Sequence, residues 1–123
     1  MRRVRQKDTK PEKIVRKVLW ATGARYRLNV RQLPGSPDIV NQKQLRAIFV
    51  HGCFWHGHEG CRRGRVPTRN RTFWEEKFRR NRARDARKIS ELKRMGYRVL
   101  VVWECQLDDI EALEHRLRNF WFS

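Results

Sequence analysis

Residues 45–58, LRAIFVHGCFWHGH, join an apolar run to a stretch of Gly, Cys and His. The run at 45–50 is short and rich in branched and aromatic side chains, which predicts a strand. Residues 51–67 have no periodicity and contain four glycines, so we interpret them as one long structured loop. His51 therefore lies where the predicted strand ends and the loop begins.

The segments before this stretch also have the character of strands. RYRLNV (25–30) alternates in strand fashion, and the Pro/Gly-rich bend LPGSP (33–37) separates it from DIV (38–40). The polar turn NQKQ (41–44) then leads into the strand at 45–50. These segments predict a three-stranded antiparallel meander.

Helical patterns stand on either side of the meander. Apolar residues at helical spacing predict a first helix over 11–22, and a long basic helix is expected over 71–95. Thr72 with Glu75 three residues later predicts a capping box, and Gly96 is suited to end the helix.

The C-terminal part completes the expected fold. YRVLVVWE (97–104) is nearly continuously apolar, which favours a strand buried on both faces. Residues 108–121 carry apolar side chains on one helical face and acids at the start, which predicts a last helix. We expect a single α/β domain over residues 1–123, a small mixed sheet flanked by helices.

The composition points to a polyanionic partner. The 123 residues include 30 Lys or Arg against 13 acids, a net charge of +17. With 39% hydrophobic residues and five Trp, a disordered basic tail is excluded. No apolar run fits a membrane span or a signal peptide, so we expect a soluble protein in the cytoplasm. Residues 62–94 hold 14 Lys or Arg and four acids, too one-sided for a merely solvated helix face, the usual explanation of charge runs.

Four sulfur and nitrogen ligands suggest a structural zinc site. They follow the pattern C-x4-H-x2-C plus a last Cys after the final strand, namely Cys53, His58, Cys61 and Cys105. Zinc prefers closed four-coordinate sites of such ligands. The alternative is that these are ordinary buried thiols. A metal joining both segments would order the glycine-rich loop.

A second group of residues suits Mg²⁺ and proton transfer. Asp38 and His51 can fall near the same end of the sheet, and His56 follows five residues later. A carboxylate suits Mg²⁺, and an imidazole can take a proton from an attacking water. The alternative is a turn residue at Asp38 and structurally satisfied histidines.

Five blocks of the sequence, in order and spacing, resemble the very-short-patch repair (Vsr) endonucleases, a branch of the PD-(D/E)xK nuclease superfamily. The blocks are MRRVRQKDTKPE (1–12), LPGSPDIV (33–40), FVHGCFWHGH (49–58), VPTRNRTFWEEKFRRNRARD (66–85) and GYRVLVVWEC (96–105). The resemblance implies a restriction-endonuclease-like fold. It also implies a strand-specific, Mg²⁺-dependent nick on the 5′ side of the thymine in a T·G mismatch.

The resemblance also implies roles for individual residues. Asp38 corresponds to the metal-ligating aspartate, Glu12 to a glutamate that supports the metal and its water, and His51 and His56 to the active-site histidines. The resemblance also implies four structural zinc ligands, namely Cys53, His58, Cys61 and Cys105.

Further residues are expected to contact DNA. The resemblance makes Phe54 and Trp55 aromatics that wedge into the base stack, with Met1 as an apolar partner from the minor groove; the alternative is that the two aromatics belong to the core. Four cationic residues are expected to lie near the active site and to contact DNA phosphates, namely Lys43, Arg46, Arg69 and Arg71.

Three functions stay open at this level. The first is a mismatch nicking endonuclease that acts on double-stranded DNA as a monomer. The second is a sequence-specific nuclease of a restriction or defence system with the same fold. The third, a zinc-stabilised DNA-binding module without catalysis, has no use for Asp38, His51, His56 and Glu12.

Overall fold

Residues 9–123 form a sheet of four strands in the order β1-β2-β3-β4. A computed structural model describes residues 9–123 and places the strands at Arg27–Leu28 (β1), Ile39–Asn41 (β2), Arg46–His51 (β3) and Arg98–Trp103 (β4). The first three strands are antiparallel, and β4 pairs parallel to β3. The mixed sheet expected from the sequence is confirmed.

Three helices flank the sheet: α1 (Lys10–Ala21), α2 (Arg71–Arg94) and α3 (Ile110–Trp121). The side chain of Thr9 caps α1 by accepting a hydrogen bond from the N–H of Glu12, and Asp109 caps α3 in the same way through Ala112. None of these helices is long and apolar enough to span a bilayer, within the described part of the chain.

The core lies on both faces of the sheet because side chains alternate along β3. Ile48 and Val50 pack with α1 and α3, whereas Ala47 and Phe49 pack with Leu92 of α2. Full burial of an Ile, Val, Leu or Phe side chain contributes about 1.5–3 kcal/mol to folding. The sheet is therefore covered by α1 and α3 on one face and by α2 on the other.

The structure corrects the expectation for β4. Arg98 is exposed and Val102 is the one fully buried residue of this strand. β4 forms one edge of the sheet, where the helices cover it incompletely. β4 therefore packs on both faces of the sheet as expected, through Leu100 and Val102 on one face and Val99 and Val101 on the other, but it is less buried than predicted.

The expected capping box on α2 was also wrong. Asn70 precedes the helix with a left-handed backbone (φ 57°), and no side chain caps the first turn. Glu75 instead accepts a hydrogen bond from Arg71 at 2.6 Å. The chain enters α2 from a tight turn, so the backbone geometry that a capping box needs is absent here.

Two element boundaries also differ from the expectation. The first strand shortens to β1, and the last helix begins at Ile110 because a 3-10 turn occupies Glu104–Asp108. Cys105 belongs to this turn, directly after β4.

Candidate active site and metal centre

The loop after β3 is fastened to α2. The side-chain amide of Asn81 donates a hydrogen bond to the carbonyl of Trp55 at 2.8 Å, and Arg82 donates to the carbonyl of Gly57 at 3.1 Å. Gly57 has φ +57°, and a Cβ there would lie 2.9 Å from Cβ of Phe78. The loop therefore needs glycine at this position to approach α2.

The four predicted zinc ligands come together in the structure. The ligand atoms of this Cys/His cluster lie within 4.8 Å of one another; its members are Cys53, His58, Cys61 and Cys105. The Sγ of Cys105 lies 3.6 Å from Nδ1 of His58, and the N–H of Cys105 donates to Sγ of Cys53 at 3.3 Å. The arrangement ties the loop to the end of β4.

The chemistry of the Cys/His cluster fits a metal ion. All three cysteines are free thiols, and burial raises the pKa of Cys53 to about 12. A buried thiolate therefore needs a cation close by. Gly64 also supports the arrangement, because a Cβ there would lie 2.3 Å from the carbonyl oxygen of His58. The residues could hold a metal, and three sulfurs with one imidazole suit zinc.

A cleft of about 830 Å³ opens beside the loop, where the N-terminus of α1, the end of β3 and the middle of α2 meet. Asp38 and Glu12 line it, and we call it the carboxylate cleft. Oδ2 of Asp38 accepts a hydrogen bond from the N–H of Val50 at 2.6 Å. Glu12 is buried, and its Oε2 lies 3.3 Å from the guanidinium of Arg16. Asp38 and His51 share this end of the sheet, as expected.

The carboxyl groups of Asp38 and Glu12 interact directly. The pKa of Asp38 is raised to about 7, mainly by burial and also by the charge of Glu12 and a hydrogen bond with it, while the Val50 N–H opposes the rise. Two acids in contact need either a shared proton or a cation between them. Oxygen ligands of this kind fit Mg²⁺.

The two predicted active-site histidines are stacked. The rings of His51 and His56 are parallel, with centroids 3.8 Å apart. Burial, followed by the charge of His56, lowers the pKa of His51 to about 4, although the charge of Asp85 opposes the shift. His51 is therefore neutral at pH 7, and its buried Nδ1 has no hydrogen-bond partner within residues 9–123. That nitrogen is available for a ligand or water.

Asp85 also belongs to this site, although it was not predicted as a site residue. Its Oδ2 lies 2.6 Å from Nδ1 of His56. A carboxylate at this position holds the ring in the tautomer with Nδ1 protonated, which leaves Nε2 as a proton acceptor. One sequence signal could have found it, because Asp85 is the sole acid within the basic stretch 77–90.

Aromatic side chains form a group at the rim of the cleft. The ring of Phe54 lies edge-on to Phe78 at 5.1 Å and to Trp74 at 5.2 Å, and Trp55 lies 6.2 Å from Trp74. Trp55 is 40% exposed and the neighbouring Phe73 is 53% exposed. Phe54 therefore rests on the core through buried Phe78, whereas Trp55 faces solvent. Trp74 and Phe73 also belong to this aromatic group, although they were not predicted as site residues.

The predicted phosphate contacts fall in two places. Arg69 and Arg71 lie at the start of α2, three to five residues before Trp74. Arg46 begins β3, roughly 16 Å from His51 along the strand, and donates to the carbonyl of Ser123. Lys43 lies in the turn before it. The expectation that Lys43 and Arg46 are near the site was wrong, because they lie at the opposite end of β3.

One predicted DNA contact falls outside the part of the chain that the structure describes. Met1 precedes residue 9, so its expected contact with the minor groove stays a prediction.

Comparison with known proteins gives a consistent result. The family model described as DNA mismatch endonuclease Vsr matches residues 1–63. The type II nicking enzyme V.XorIIP of Xanthomonas oryzae pv. oryzae is 53% identical over 119 residues, 97% of this chain and 87% of the relative. The DNA mismatch endonuclease Vsr of Escherichia coli is 43% identical over 113 residues, 92% of this chain and 72% of the relative. The type II nicking enzyme V.NmeAIP of Neisseria meningitidis is 44% identical over 97% of this chain and 84% of its own.

These similarities identify the protein as a DNA endonuclease. The chain belongs to the Vsr family of DNA mismatch endonucleases.

Proposed function

We propose that this endonuclease makes a Mg²⁺-dependent nick in one strand of double-stranded DNA, on the 5′ side of the thymine of a T·G mismatch. The observation that carries the proposal is the contact between the Asp38 and Glu12 carboxyls in a cleft that also holds His51 and His56. Relatives named as a mismatch endonuclease and as nicking enzymes support it.

Asp38 and Glu12 are the residues that would hold Mg²⁺ and its waters. The ion, when bound, lowers the pKa of a coordinated water and stabilises charge on the phosphate. The depressed pKa of His51 makes it a weak base at pH 7, so we assign it a neutral hydrogen-bonding role towards water or phosphate.

His56 is the residue we propose as the proton acceptor. Its Nδ1 donates to Asp85, so the positive charge that His56 gains on taking a proton at Nε2 is offset by the carboxylate. The two histidines therefore act in different ways although their rings are stacked.

Mismatch recognition is proposed for Phe54 and Trp55, together with Trp74. Separating a base step costs a few kcal/mol and is cheaper at a mispair, so an aromatic wedge converts weak pairing into selectivity. The exposure of Trp55 beside the cleft supports this role.

The Cys/His cluster is proposed to hold one structural Zn²⁺. It would fix the loop that carries Phe54, Trp55 and His56 against the end of β4. We further propose that the protein acts as a monomer in the cytoplasm, with its basic α2 on the DNA backbone.

A second candidate is a nickase that recognises a matched sequence beside a restriction system. The names of the type II nicking enzymes favour it, since they mention nicking without a mismatch.

One assay separates the two candidates. Duplexes that differ only in carrying T·G, C·G or T·A at one position are labelled on either strand and incubated with protein and Mg²⁺. Cleavage of the T strand of the T·G duplex alone is the expected result. Cleavage of a matched duplex at the same rate would favour the second candidate, and no cleavage of any duplex would refute both.

A further inference from the structure

Two cationic side chains line the carboxylate cleft, and the function proposed above gives them no role. Within the described residues, Arg84 and Lys88 of α2 are the cationic side chains that line it. They are one helical turn apart, so they lie on the same face of α2. Four acids line the same cleft, namely Glu12, Asp38, Asp85 and Glu104.

Arg84 differs from the arginines before it on α2. Arg71, Arg79 and Arg82 each lie within salt-bridge distance of a glutamate. Among residues 9–123, Arg84 has neither a carboxylate partner nor a hydrogen bond, and it is exposed. A guanidinium without a partner, at the mouth of an acidic cleft, is free to bind an incoming anion.

Lys88 is less free than Arg84. Its Nζ lies 3.9 Å from Oε2 of Glu91, and the bend before β2 packs against its stem. A Cβ at Gly35, whose φ is +75°, would lie 3.0 Å from Cβ of Lys88. The bend therefore fixes where the side chain of Lys88 leaves the helix, and Lys88 remains part of the lining of the cleft.

A phosphodiester that enters the cleft meets four carboxylates, so it needs cationic side chains there as well as the proposed Mg²⁺. Arginine presents a planar fork of donors that matches two phosphate oxygens, whereas lysine acts as a point charge. Fixed positive groups aimed at the reacting phosphate stabilise the charge that develops there.

We propose that Arg84 binds the non-bridging oxygens of the phosphate that is cut, and that Lys88 binds a neighbouring phosphate of the same strand. This inference rests on the proposed nuclease function and adds the residues that hold the reacting phosphate. Arg84 thereby acts on the rate of cleavage, and Lys88 mainly on substrate position.

The test compares Arg84→Gln with Arg87→Gln on the T·G duplex. Arg87 is a suitable control because it is also an exposed arginine of α2 without a carboxylate partner in residues 9–123, yet it does not line the cleft. Two quantities are measured at fixed salt: the single-turnover rate at saturating enzyme and the Kd for the duplex. Circular dichroism and zinc content check the fold.

We expect Arg84→Gln to lower the single-turnover rate by about 30- to 100-fold and to raise Kd by less than about threefold. Arg84→Lys should recover part of the single-turnover rate. Lys88→Gln should lower this rate by about fivefold, and the rate of Arg87→Gln should stay within about twofold of that of the wild type. Equal rates for Arg84→Gln and Arg87→Gln, or a loss confined to Kd, would overturn the inference alone. A wild-type protein that cuts none of the duplexes would overturn the proposed function and this inference together.

Discussion

Two candidate metal-binding groups include residues at or in the loop after β3, and they are built in different ways. The Cys/His cluster draws three of its members from residues 53–61 and the fourth from the turn after β4. The carboxylate cleft draws its groups from α1, from the sheet end and from α2. The first is nearly local in sequence, whereas the second exists only once three elements have packed together.

This difference predicts different effects when a residue of each group is substituted. Losing one member of the Cys/His cluster removes a cross-link between two segments and should damage the fold. Losing one member of the carboxylate cleft should remove chemistry and leave the fold intact, because the core of α1, α3 and the sheet does not depend on it. The following experiments test this contrast, from the largest expected effect to the smallest.

Cys105→Ser should release the metal and unfold or aggregate the protein. Structural zinc contributes folding free energy on the order of 10 kcal/mol. Metal analysis and thermal unfolding monitor the result, with Cys105→His as a variant that keeps a zinc ligand. A wild-type protein that contains no zinc would contradict this prediction.

Asp85→Asn should lower the rate of nicking by about 100-fold while zinc content and Tm change little. The amide no longer holds His56 in the required tautomer or offsets the charge of the imidazolium. Single-turnover kinetics measure the effect. Wild-type rates in this variant would remove Asp85 and the proposed role of His56 from the mechanism.

The carboxyl pair predicts a pH dependence of stability in Mg²⁺-free buffer. Asp38 has a pKa of about 7 when folded, above its ordinary value of 3.8, so the folded state holds a proton that the unfolded state has lost. Its contribution to stability is present at low pH and is lost as pH rises towards and through 7. Between pH 5.5 and 7.5 the loss is on the order of 2 kcal/mol.

Asp38→Asn is the matched comparison, since it cannot titrate. The lowered pKa of His51 gives the opposite trend below about pH 6.5 in both proteins, so the difference between the two unfolding curves isolates Asp38. Parallel stability profiles for wild type and variant would refute the raised pKa of Asp38.

The aromatic group should affect selectivity more than affinity. Replacing Phe54 and Trp55 by Ala should reduce the preference for T·G over matched duplexes by about tenfold or more, because stacking is worth about 1–3 kcal/mol per base. Non-specific binding rests on Lys and Arg and should change less. Loss of zinc along with activity would instead mean that these residues support the fold.

The contrast between the two sites also explains what could be predicted from the sequence. Cysteine is rare in this chain, so three Cys and one nearby His indicated the Cys/His cluster by residue type alone. Carboxylates are common, and Asp85 lies in a basic stretch with no local feature that pairs it with His56. That pair depends on which face α2 presents to the sheet, a property of packing that periodicity does not reveal.

Errors in the sequence predictions have the same origin. Alternation and turns predict the antiparallel meander of the first three strands, and both this meander and the mixed sheet are confirmed. Lys43 and Arg46 are close to the site residues along the chain, yet the length of β3 separates Arg46 from His51. The capping box at Thr72 was wrong because Asn70 directs the chain into α2 through a left-handed turn.

We propose that the loop after β3 connects two different metal sites, a structural one at the Cys/His cluster and a catalytic one in the carboxylate cleft. Titration of Mn²⁺, as a probe for Mg²⁺, into zinc-loaded wild type and Asp38→Asn tests it most directly, with the zinc content of both samples measured in parallel. We predict one zinc in each protein, Mn²⁺ binding by the wild type, and no Mn²⁺ binding by the variant. Equal Mn²⁺ binding by both proteins, or loss of zinc in Asp38→Asn, would contradict the claim.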